Sequence, residues 1–371
     1  MKFLFATDRY PFPARDGITV PLSNYINFFL DDDNIVDILV LNKTQETDYA
    51  KKLNINIFQN YSSVKIDRNN ALLSIVKHIF RITPYFTDWK LRHFNSINLN
   101  RHYDIIWCTP RSIINPIYSL LSETGIQYKL IIGAVNDINS LVLWSLASQN
   151  RFEGDFTRKF LKKIFLKSRS LYLKKMEEKF LDKLDLILVQ TEKEYNWVKN
   201  SKYLNDKVVV VSNGVDEQFF KTPIERSNNN LVFVGSLKPL YLKRLKWFIE
   251  NCWLKVKKKY NDAMFTVIGK SDLDETKYFE HYGINYCEFI EDPTKLYLNN
   301  AILIAPIYKG YGLINKVVQA MAAGTLVIGD STAFNGVNGF IDRQHGIIAE
   351  DEHDYIKEIN RCFSSPDKHL D

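Results

Sequence analysis

The sequence predicts a parallel α/β fold with more strands than one sheet would hold, and three observations support this. Short apolar runs rich in β-branched residues recur without the alternation of a half-exposed sheet, which is the pattern of strands buried on both faces. Longer segments with helical spacing separate these runs and would form the crossovers of a parallel sheet. The chain has 371 residues, enough for two domains with separate cores.

Taken in order, the apolar runs fall into two sets. The predicted strands of the first set are MKFLFAT, VDILVL, DIIWC, YKLIIGAV, DLILVQT and KVVVVSNG, and those of the second are NLVFVGS, MFTVIGK, AILIAP and TLVIGDS. Between the sets lies KTPIERSNNN, Lys221 to Asn230, which is polar and rich in turn-forming residues. We expect it to be the interdomain linker, with domains at residues 1–222 and 223–371.

Composition and cysteine spacing indicate a globular protein of a reducing compartment. The chain is 46% hydrophobic and 25% charged, which excludes a disordered or fibrous class. Its four cysteines show neither the spacing of a disulfide framework nor that of a zinc site. The first apolar run is too short for a signal peptide, and no run is long enough to span a membrane. These features predict a cytoplasmic protein.

Positive charge is concentrated in one segment. Residues 158–175, RKFLKKIFLKSRSLYLKK, hold eight Lys or Arg and no Asp or Glu, whereas the whole chain has a net charge of only +6. Two interpretations are open: a surface helix whose apolar stripe faces the core, or a helix lying on an anionic membrane. In the second, Lys162, Lys163 and Lys167 contact the membrane surface. Nucleic acid is not an expected partner, because no nucleic-acid-binding motif accompanies the charge.

Loops that lead from strands into helices are the expected ligand sites, because open parallel sheets bind ligands at the carboxyl ends of their strands. Three such loops combine small residues with cationic or hydroxyl groups: FPARDGITV, VGSLKPLYLKR and IYKGYGLINK. Backbone N–H groups at the start of a helix favour phosphate. The sequence therefore predicts a phosphorylated ligand.

The third of these loops offers the most specific set of residues. Gly310 and Gly312 allow the backbone to approach a ligand closely. Lys316 lies near the start of the next helix and could reach a phosphate, and Gln319, one turn later, could pair with ribose hydroxyls. The alternative, turn glycines with an exposed lysine, is less favoured for this set. For Gly324, a helix C-cap is the favoured role.

The same segment carries a family resemblance. KGYGLINKVVQAMAAGTLVIGDSTAFNGVNG is similar to the donor-site signature of GT-B glycosyltransferases of family 4, in the subgroup that reads roughly G-x-G-x-x-N-K-V-L-E-A-M-A-x-G-x-P-V-V. Other elements of the subgroup resemble RYPFPARDG, VNDINS, FLDKLDLILVQTEKEY, VVVVSNGVDEQFF, and LVFVGSL with KWF. The resemblance covers nearly the whole chain. Within the fourth segment, Asn213 and Gly214 fit a turn better than a ligand contact.

The resemblance implies two Rossmann-like domains facing a cleft, with an acceptor-binding domain at 1–222 and a donor-binding domain at 223–371. The donor would be a UDP- or GDP-linked sugar, bound as a substrate without a cofactor or a metal. Lys316 would meet its diphosphate, and Gln319 would replace the glutamate that holds the ribose. The other donor-site positions matched by the resemblance are Gly235, Ser236, Gly310, Tyr311, Gly312 and Asn315.

In the first domain the resemblance assigns residues on two loops. Asp16 and Gly17 would approach the cleft on the acceptor side, and Asp137 matches an aspartate near the reaction centre. Asp137 could be a general base in an inverting transfer or could orient the sugar in a retaining one. A turn or N-cap role ahead of Ser140 fits its sequence equally well.

Two functions follow from this resemblance. The first is a glycosyltransferase acting on a glycan or lipid-linked acceptor in cell-surface polysaccharide or glycolipid biosynthesis, peripheral at the inner face of the plasma membrane. The alternative is a non-catalytic GT-B protein that acts as a nucleotide-sugar-binding subunit or as a partner subunit. A dehydrogenase is disfavoured, because no G-x-G-x-x-G follows the first strand.

Four departures from the subgroup bear on these functions. Gln319 replaces a carboxylate, which would hold a diol more strongly than an amide does. Thr325 stands where the subgroup has proline, and ITVP stands where a basic residue often follows the first-loop glycine. The chain ends at SSPDKHLD, where family members usually continue with further helices.

Overall fold

The structure is a computed structural model, and it describes residues 1–12, 18–31, 34–42, 61–68, 89–91, 99–135, 138–148, 156–199, 204–220, 227–271, 274–290, 293–308 and 312–364. The chain forms two compact units, Met1–Ser212 and Asn213–Asp371. The sequence had placed the boundary after residue 222. The short helical turn Glu217–Phe220 lies between the two positions, and its Phe219 is buried in a core cluster of the second unit.

The first unit contains an eight-stranded sheet. Its strands are β1 Lys2–Thr7, β2 Ile35–Asn42, β3 Tyr61–Arg68, β4 Trp89–Leu91, β5 His102–Thr109, β6 Gln127–Ala134, β7 Leu186–Val189 and β8 Val208–Val210. They lie in the order β4-β3-β2-β1-β5-β6-β7-β8. All neighbouring strands are parallel except β3 and β4, which pair antiparallel at one edge.

Both faces of this sheet are buried, which explains the continuous apolar runs in the sequence. Along β1, Leu4 and Ala6 enter one core cluster, whereas Phe3 and Phe5 enter another on the opposite face. The helices of the first unit are α1 Thr19–Asp31, α2 Ile114–Thr124, α3 Asn139–Ser148, α4 Phe156–Leu181 and α5 Glu192–Lys199. No helix in the described part of the chain is both long and apolar enough to cross a membrane.

The second unit contains a six-stranded parallel sheet. Its strands are β9 Ser227–Val234, β10 Met264–Ile268, β11 Asn285–Cys287, β12 Asn300–Ala305, β13 Leu326–Gly329 and β14 Ile347–Ile348. Their order is β11-β10-β9-β12-β13-β14. The helices are α6 Pro239–Phe248, α7 Leu254–Lys259, α8 Thr276–His281, α9 Pro293–Asn299, α10 Asn315–Ala322 and α11 Glu352–Ser364. The prediction of two α/β domains with parallel sheets is confirmed.

Helices α6 and α7 are joined by a π-helical turn, Ile249–Trp253. Ile249, Cys252 and Trp253 in this turn are fully buried. Trp253 packs on Phe265 of β10 with 5.4 Å between ring centroids, and its Nε1 donates a hydrogen bond to the carbonyl of Tyr282. The turn therefore faces the core.

The predicted linker is wrong over its last four residues. Ser227–Asn230 form the start of β9, where Ser227 pairs with Asn300 of β12 and Asn230 with Met264 of β10. The apolar run that marked this strand begins only at Leu231. Polar residues at the end of a central strand keep their ladder hydrogen bonds, so hydropathy alone places the start of the strand too late.

Four strands in the described part of the chain were missed by the sequence analysis. Strand β3 reads YSSVKIDR, which has no continuous apolar run. Strands β4, β11 and β14 have two or three residues each and lie at sheet edges. Segments this short carry no detectable periodicity.

Candidate functional site

The second sheet has a topological switch point between β9 and β12. These strands are neighbours, but the chain continues from β9 towards β10 and β11, and from β12 towards β13 and β14 on the other side. Ligands of open α/β sheets bind at such a point, outside the carboxyl ends of the two strands. Gly235 and Ser236 follow β9 directly, and the loop after β12 leads into α10.

The loop after β9 is held by close backbone packing. A Cβ atom on Gly269, which follows β10, would lie 1.8 Å from the carbonyl oxygen of Gly235, so only glycine fits at residue 269. The N–H of Gly235 donates to the carbonyl of Ile268 at 2.9 Å, and the N–H of Leu237 donates to that of Lys270 at 3.1 Å. The exposed Ser236 is thereby fixed at the carboxyl edge of β9.

Helix α10 begins without a side-chain cap. Its N-cap is Ile314, whose side chain offers no acceptor. The N–H groups of Asn315 and Lys316 occupy the first positions of the helix, where no intrahelical acceptor exists. An anion placed there would accept hydrogen bonds from both groups and would interact favourably with the helix dipole.

The side chain of Asn315 is held by a residue far away in sequence. The Nδ2 atom of Asn213 donates a hydrogen bond to Oδ1 of Asn315 at 2.8 Å. Sequence reasoning gave Asn213 a turn role and did not connect it with α10. The two residues are separated by about a hundred positions, so no local pattern could have linked them.

Lys316 and Gln319 are two partly buried polar residues one turn apart on α10. Burial lowers the pKa of the Lys316 ammonium, and no described carboxylate lies within ion-pair distance of its Nζ atom. The Oε1 atom of Gln319 is buried, and no described group donates a hydrogen bond to it. A buried polar group without a partner is costly, so both side chains are suited to a ligand that supplies an anion and a donor.

Gly336 supports the loop ahead of α10. A Cβ atom at this position would lie 2.5 Å from Cα of Leu313 and 2.9 Å from the carbonyl oxygen of Gly312. Any larger residue would displace the backbone at which the site begins. Gly336 lies within FNGVNG, and no local pattern predicts its role, because its neighbour in space is more than twenty positions earlier.

Helix α10 ends as the sequence predicted. Gly324 has φ of +65°, and its N–H donates to the carbonyl of Met321 at 2.9 Å. The N–H of Thr325 donates to Ala320 at 2.8 Å, completing a Schellman motif. In the related motif A-x-G-x-P, Thr325 aligns with the variable position and Leu326 with the proline, so the departure expected at Thr325 lies at Leu326 instead. The Thr325 hydroxyl adds a hydrogen bond of 2.5 Å to the carbonyl of Tyr297.

Several predicted site residues lie outside the described part of the chain, and their placement therefore stays a prediction. They are Asp16, Gly17, Asp137, Gly310 and Tyr311. The described donor-site positions Gly235, Ser236, Gly312, Asn315, Lys316 and Gln319 all lie at the β9 and β12 switch point or on α10.

The first unit has a buried polar network around Ser140, at the start of α3. Glu177 of α4 receives hydrogen bonds from the N–H and Oγ of Ser140, and its Oε1 lies 2.9 Å from Nη1 of Arg111. Trp197 Nε1 donates to Ser140 Oγ at 2.8 Å. Burial raises the pKa of the Glu177 carboxyl, and the Arg111 charge opposes that shift. These hydrogen bonds connect the start of α3 to α4. The two charged residues of the network, Arg111 and Glu177, were not predicted from the sequence.

The three predicted membrane lysines lie on α4 in different surroundings. Lys162 is exposed, and Lys163 is partly exposed. Lys167 is also partly exposed, but its Nζ lies 4.9 Å from the centre of the Trp144 ring on α3. Lys167 thus makes a cation–π contact within the protein.

Residues 228–365 match the family model described as Glycosyl transferases group 1. The matched range includes β9, the loop after it, and all of α10. The match lies within the C-terminal unit, Asn213–Asp371. No curated protein matches the chain in a sequence search.

Solved glycosyltransferase structures share the fold over the whole chain. HepE from Anabaena in complex with UDP-glucose is 13% identical, with a TM-score of 0.59 over 100% of this chain and 92% of that one. Sucrose-phosphate synthase from Thermosynechococcus elongatus is 12% identical, with a TM-score of 0.62 over 99% and 90% of the two chains. TarM is 14% identical, with a TM-score of 0.62 over 100% and 95%.

These likenesses establish the fold, and the domain match establishes the class. The predicted GT-B architecture is confirmed by structures that span both units. The range that matches the Glycosyl transferases group 1 model, 228–365, contains the residues that the sequence had selected for donor binding. The prediction of a glycosyltransferase is confirmed at the level of enzyme class.

Proposed function

We propose that the chain is an active glycosyltransferase that transfers a sugar from a UDP- or GDP-linked donor. The observation that carries this proposal is Lys316, a partly buried lysine at the start of α10 whose pKa is lowered by burial and which has no described counter-ion. A diphosphate at the switch point would supply the missing negative charge. HepE, which shares the fold, was solved with UDP-glucose, and this supports a nucleotide-sugar donor.

The chemistry of transfer needs a stabilised leaving group. As the glycosidic bond to the donor breaks, negative charge grows on the departing diphosphate. The Lys316 ammonium and the N–H groups at the start of α10 would stabilise that charge, in a setting where water screens it less than at an open surface. We propose that these groups carry out the step without a metal or a cofactor.

Gln319 would bind the ribose of the donor. Its buried Oε1 accepts no hydrogen bond from any described group, and a ribose hydroxyl would donate one. Gly235, Ser236, Gly310, Tyr311, Gly312 and Asn315 would form the rest of the donor pocket. Asp16 and Gly17 would lie on the acceptor side, and Asp137 would act as general base or orient the sugar.

The acceptor would be a glycan or a lipid-linked glycan in cell-surface polysaccharide or glycolipid synthesis. A TarM structure holds UDP together with α-GlcNAc-glycerol, which supports a glycan-type ligand beside the nucleotide in this fold. We propose that the protein works at the cytoplasmic face of the membrane, with the cations of residues 158–175, including Lys162, Lys163 and Lys167, attracting it to anionic lipid.

The first test is thermal unfolding with UDP-, GDP-, CMP- and dTDP-sugars, followed by hydrolysis of any donor that raises Tm. A ligand that binds only the folded state raises Tm by mass action. Lys316→Ala should abolish the Tm shift and reduce turnover by about a hundredfold or more. Lys295→Ala, an exposed lysine on α9, is the matched control and should behave as wild type. Wild-type donor affinity in Lys316→Ala would contradict the proposal.

The second candidate is a GT-B protein that binds a donor but does not turn it over. The observation that favours it is the amide of Gln319 in place of a carboxylate. This candidate predicts a Tm shift with one nucleotide sugar and no transfer or hydrolysis with any of a panel of glycan and lipid-linked acceptors. Transfer to any acceptor would exclude it.

A further inference from the structure

Helix α4 presents an apolar face to solvent. Five large hydrophobic side chains between residues 160 and 171 of this helix are exposed by half or more: Phe160 at 54%, Leu161 at 60%, Ile164 at 50%, Phe165 at 52% and Leu171 at 51%. The sequence left open whether this stripe packs into the core or faces a membrane. Exposure of all five excludes the core-facing interpretation for these residues.

The packed side of α4 lies opposite this face. Ser170, Leu173 and Glu177 are buried, and the helix packs against α3. Leu161 precedes Ser170 by nine positions and Ile164 precedes Leu173 by nine, which in an α-helix is about two and a half turns. Each apolar residue therefore points away from the residue that anchors the helix to its own domain.

The charge around the exposed face of α4 indicates what kind of surface this face would bind. Residues 158–175 carry eight Lys or Arg and no acidic residue, so the apolar face is bordered by cations alone. Two copies of the chain meeting through this face would bring two cationic surfaces together, which is unfavourable. An anionic bilayer offers both a negative surface for the cations and an apolar interior for the exposed side chains.

We propose that the exposed face of α4, defined by Leu161, Ile164, Phe165 and Leu171, inserts into the interface of an anionic lipid bilayer. The helix lies in the plane of the membrane, with its apolar side chains below the headgroups and its cations among them. This goes beyond electrostatic attraction by the lysines, because insertion buries apolar area and resists salt. It rests on the membrane association proposed above and depends on no residue of the donor site.

The experiment measures co-sedimentation of the full-length protein with vesicles, in the absence of nucleotide. The vesicles contain equal parts of phosphatidylglycerol and phosphatidylcholine, with pure phosphatidylcholine for comparison. Binding is measured at about 0.15 M and about 1 M NaCl, between which the Debye length falls from about 8 Å to about 3 Å. Electrostatic adsorption is lost at the higher salt, whereas an inserted helix stays partly bound.

Two variants separate the contribution of the apolar side chains to vesicle binding from that of the lysines. Leu161→Ser with Phe165→Ser should lower the partition coefficient at high salt by at least about tenfold, because two apolar side chains no longer enter the lipid. Lys162→Gln with Lys163→Gln should weaken binding mainly at low salt. The matched control is Met264→Ser with Ile341→Ser, which removes side chains 48% and 54% exposed on the other unit and should leave binding unchanged.

Three results would overturn the proposal. They are wild-type vesicle binding by the Leu161→Ser and Phe165→Ser variant, complete loss of wild-type binding at high salt, and a dimer in sedimentation velocity that this variant dissociates. The last would assign the face to a second copy of the chain. Donor binding is measured separately without lipid, so failure of the insertion and failure of the donor site are distinguishable.

Discussion

At the scale of single residues, the proposed donor site is marked by polar groups that lack partners within the described part of the protein. Lys316 and the Oε1 atom of Gln319 are desolvated without a described ion pair or hydrogen bond. Folded proteins satisfy nearly all of their buried polar groups, so such groups are markers of a ligand site. The sequence predicted both residues from spacing, but it could not show that they are buried.

The pH dependence of donor binding is predicted from the direction of the Lys316 shift. Burial lowers the pKa of the free ammonium below 10.5, and a bound diphosphate would raise it again. Binding therefore takes up a proton between these two pKa values. Donor affinity should fall as the pH rises through the pKa of the free protein, by up to about tenfold per pH unit.

Isothermal titration calorimetry over the alkaline range measures this effect. Lys316→Arg is the matched control, because a guanidinium stays charged throughout that range. The arginine variant also reports any titration of the nucleotide itself. An equal fall in affinity for wild type and Lys316→Arg would show that Lys316 does not contact the diphosphate.

At the scale of elements, the ends of α10 have different origins in the sequence. The C-terminal end was predictable, because a glycine after an apolar helical pattern is a local signal that Gly324 fulfils with φ of +65°. The N-terminal end is positioned by two residues that are distant in the sequence. Asn213 donates a hydrogen bond to Asn315, and Gly336 packs against the backbone of the loop ahead of the helix. Local patterns therefore predicted the helix and its candidate ligands, while the contacts that position them required the fold.

Thr325→Pro tests the C-terminal end of α10. The substitution removes the N–H that donates to Ala320 and the hydroxyl that donates to Tyr297. We expect a loss of about 2 kcal/mol or more in the free energy of unfolding. Thr325→Val, which keeps the N–H and loses only the hydroxyl, should lose about 1 kcal/mol. Urea unfolding followed by circular dichroism measures the free energy of unfolding of both variants. Equal stability of Thr325→Pro and wild type would contradict the stabilising role of the Thr325 N–H.

At the scale of the whole molecule, the chain folds as two units with separate cores, which length and hydropathy predicted. The exact boundary was not accessible from composition, since the polar segment that suggested a linker begins only at Lys221. The segment from Asn213 to Phe220 contributes to the second unit through two contacts. Asn213 bonds to α10, and Phe219 packs 5.9 Å from Tyr297, measured between ring centroids.

Fragments of the second unit test this boundary. A fragment of residues 213–371 should unfold cooperatively and should show the same Tm shift with the donor as the full chain. A fragment of residues 223–371 lacks Phe219, which is 2% exposed, and should be less stable by about 3–5 kcal/mol. Equal stability of the two fragments in thermal and urea unfolding would show that residues 213–222 do not belong to the second unit.

The π-helical turn Ile249–Trp253 has a consequence for the evolution of this domain. A π turn accommodates one more residue than a regular helix, and it persists here because its side chains fill the core. Because the turn absorbs the extra residue, deleting one residue within Ile249–Trp253 would regularise the helix and leave α7 facing the same way. Val256 would then stay in the core, so we expect related chains that lose this residue to keep the apolar pattern of α7.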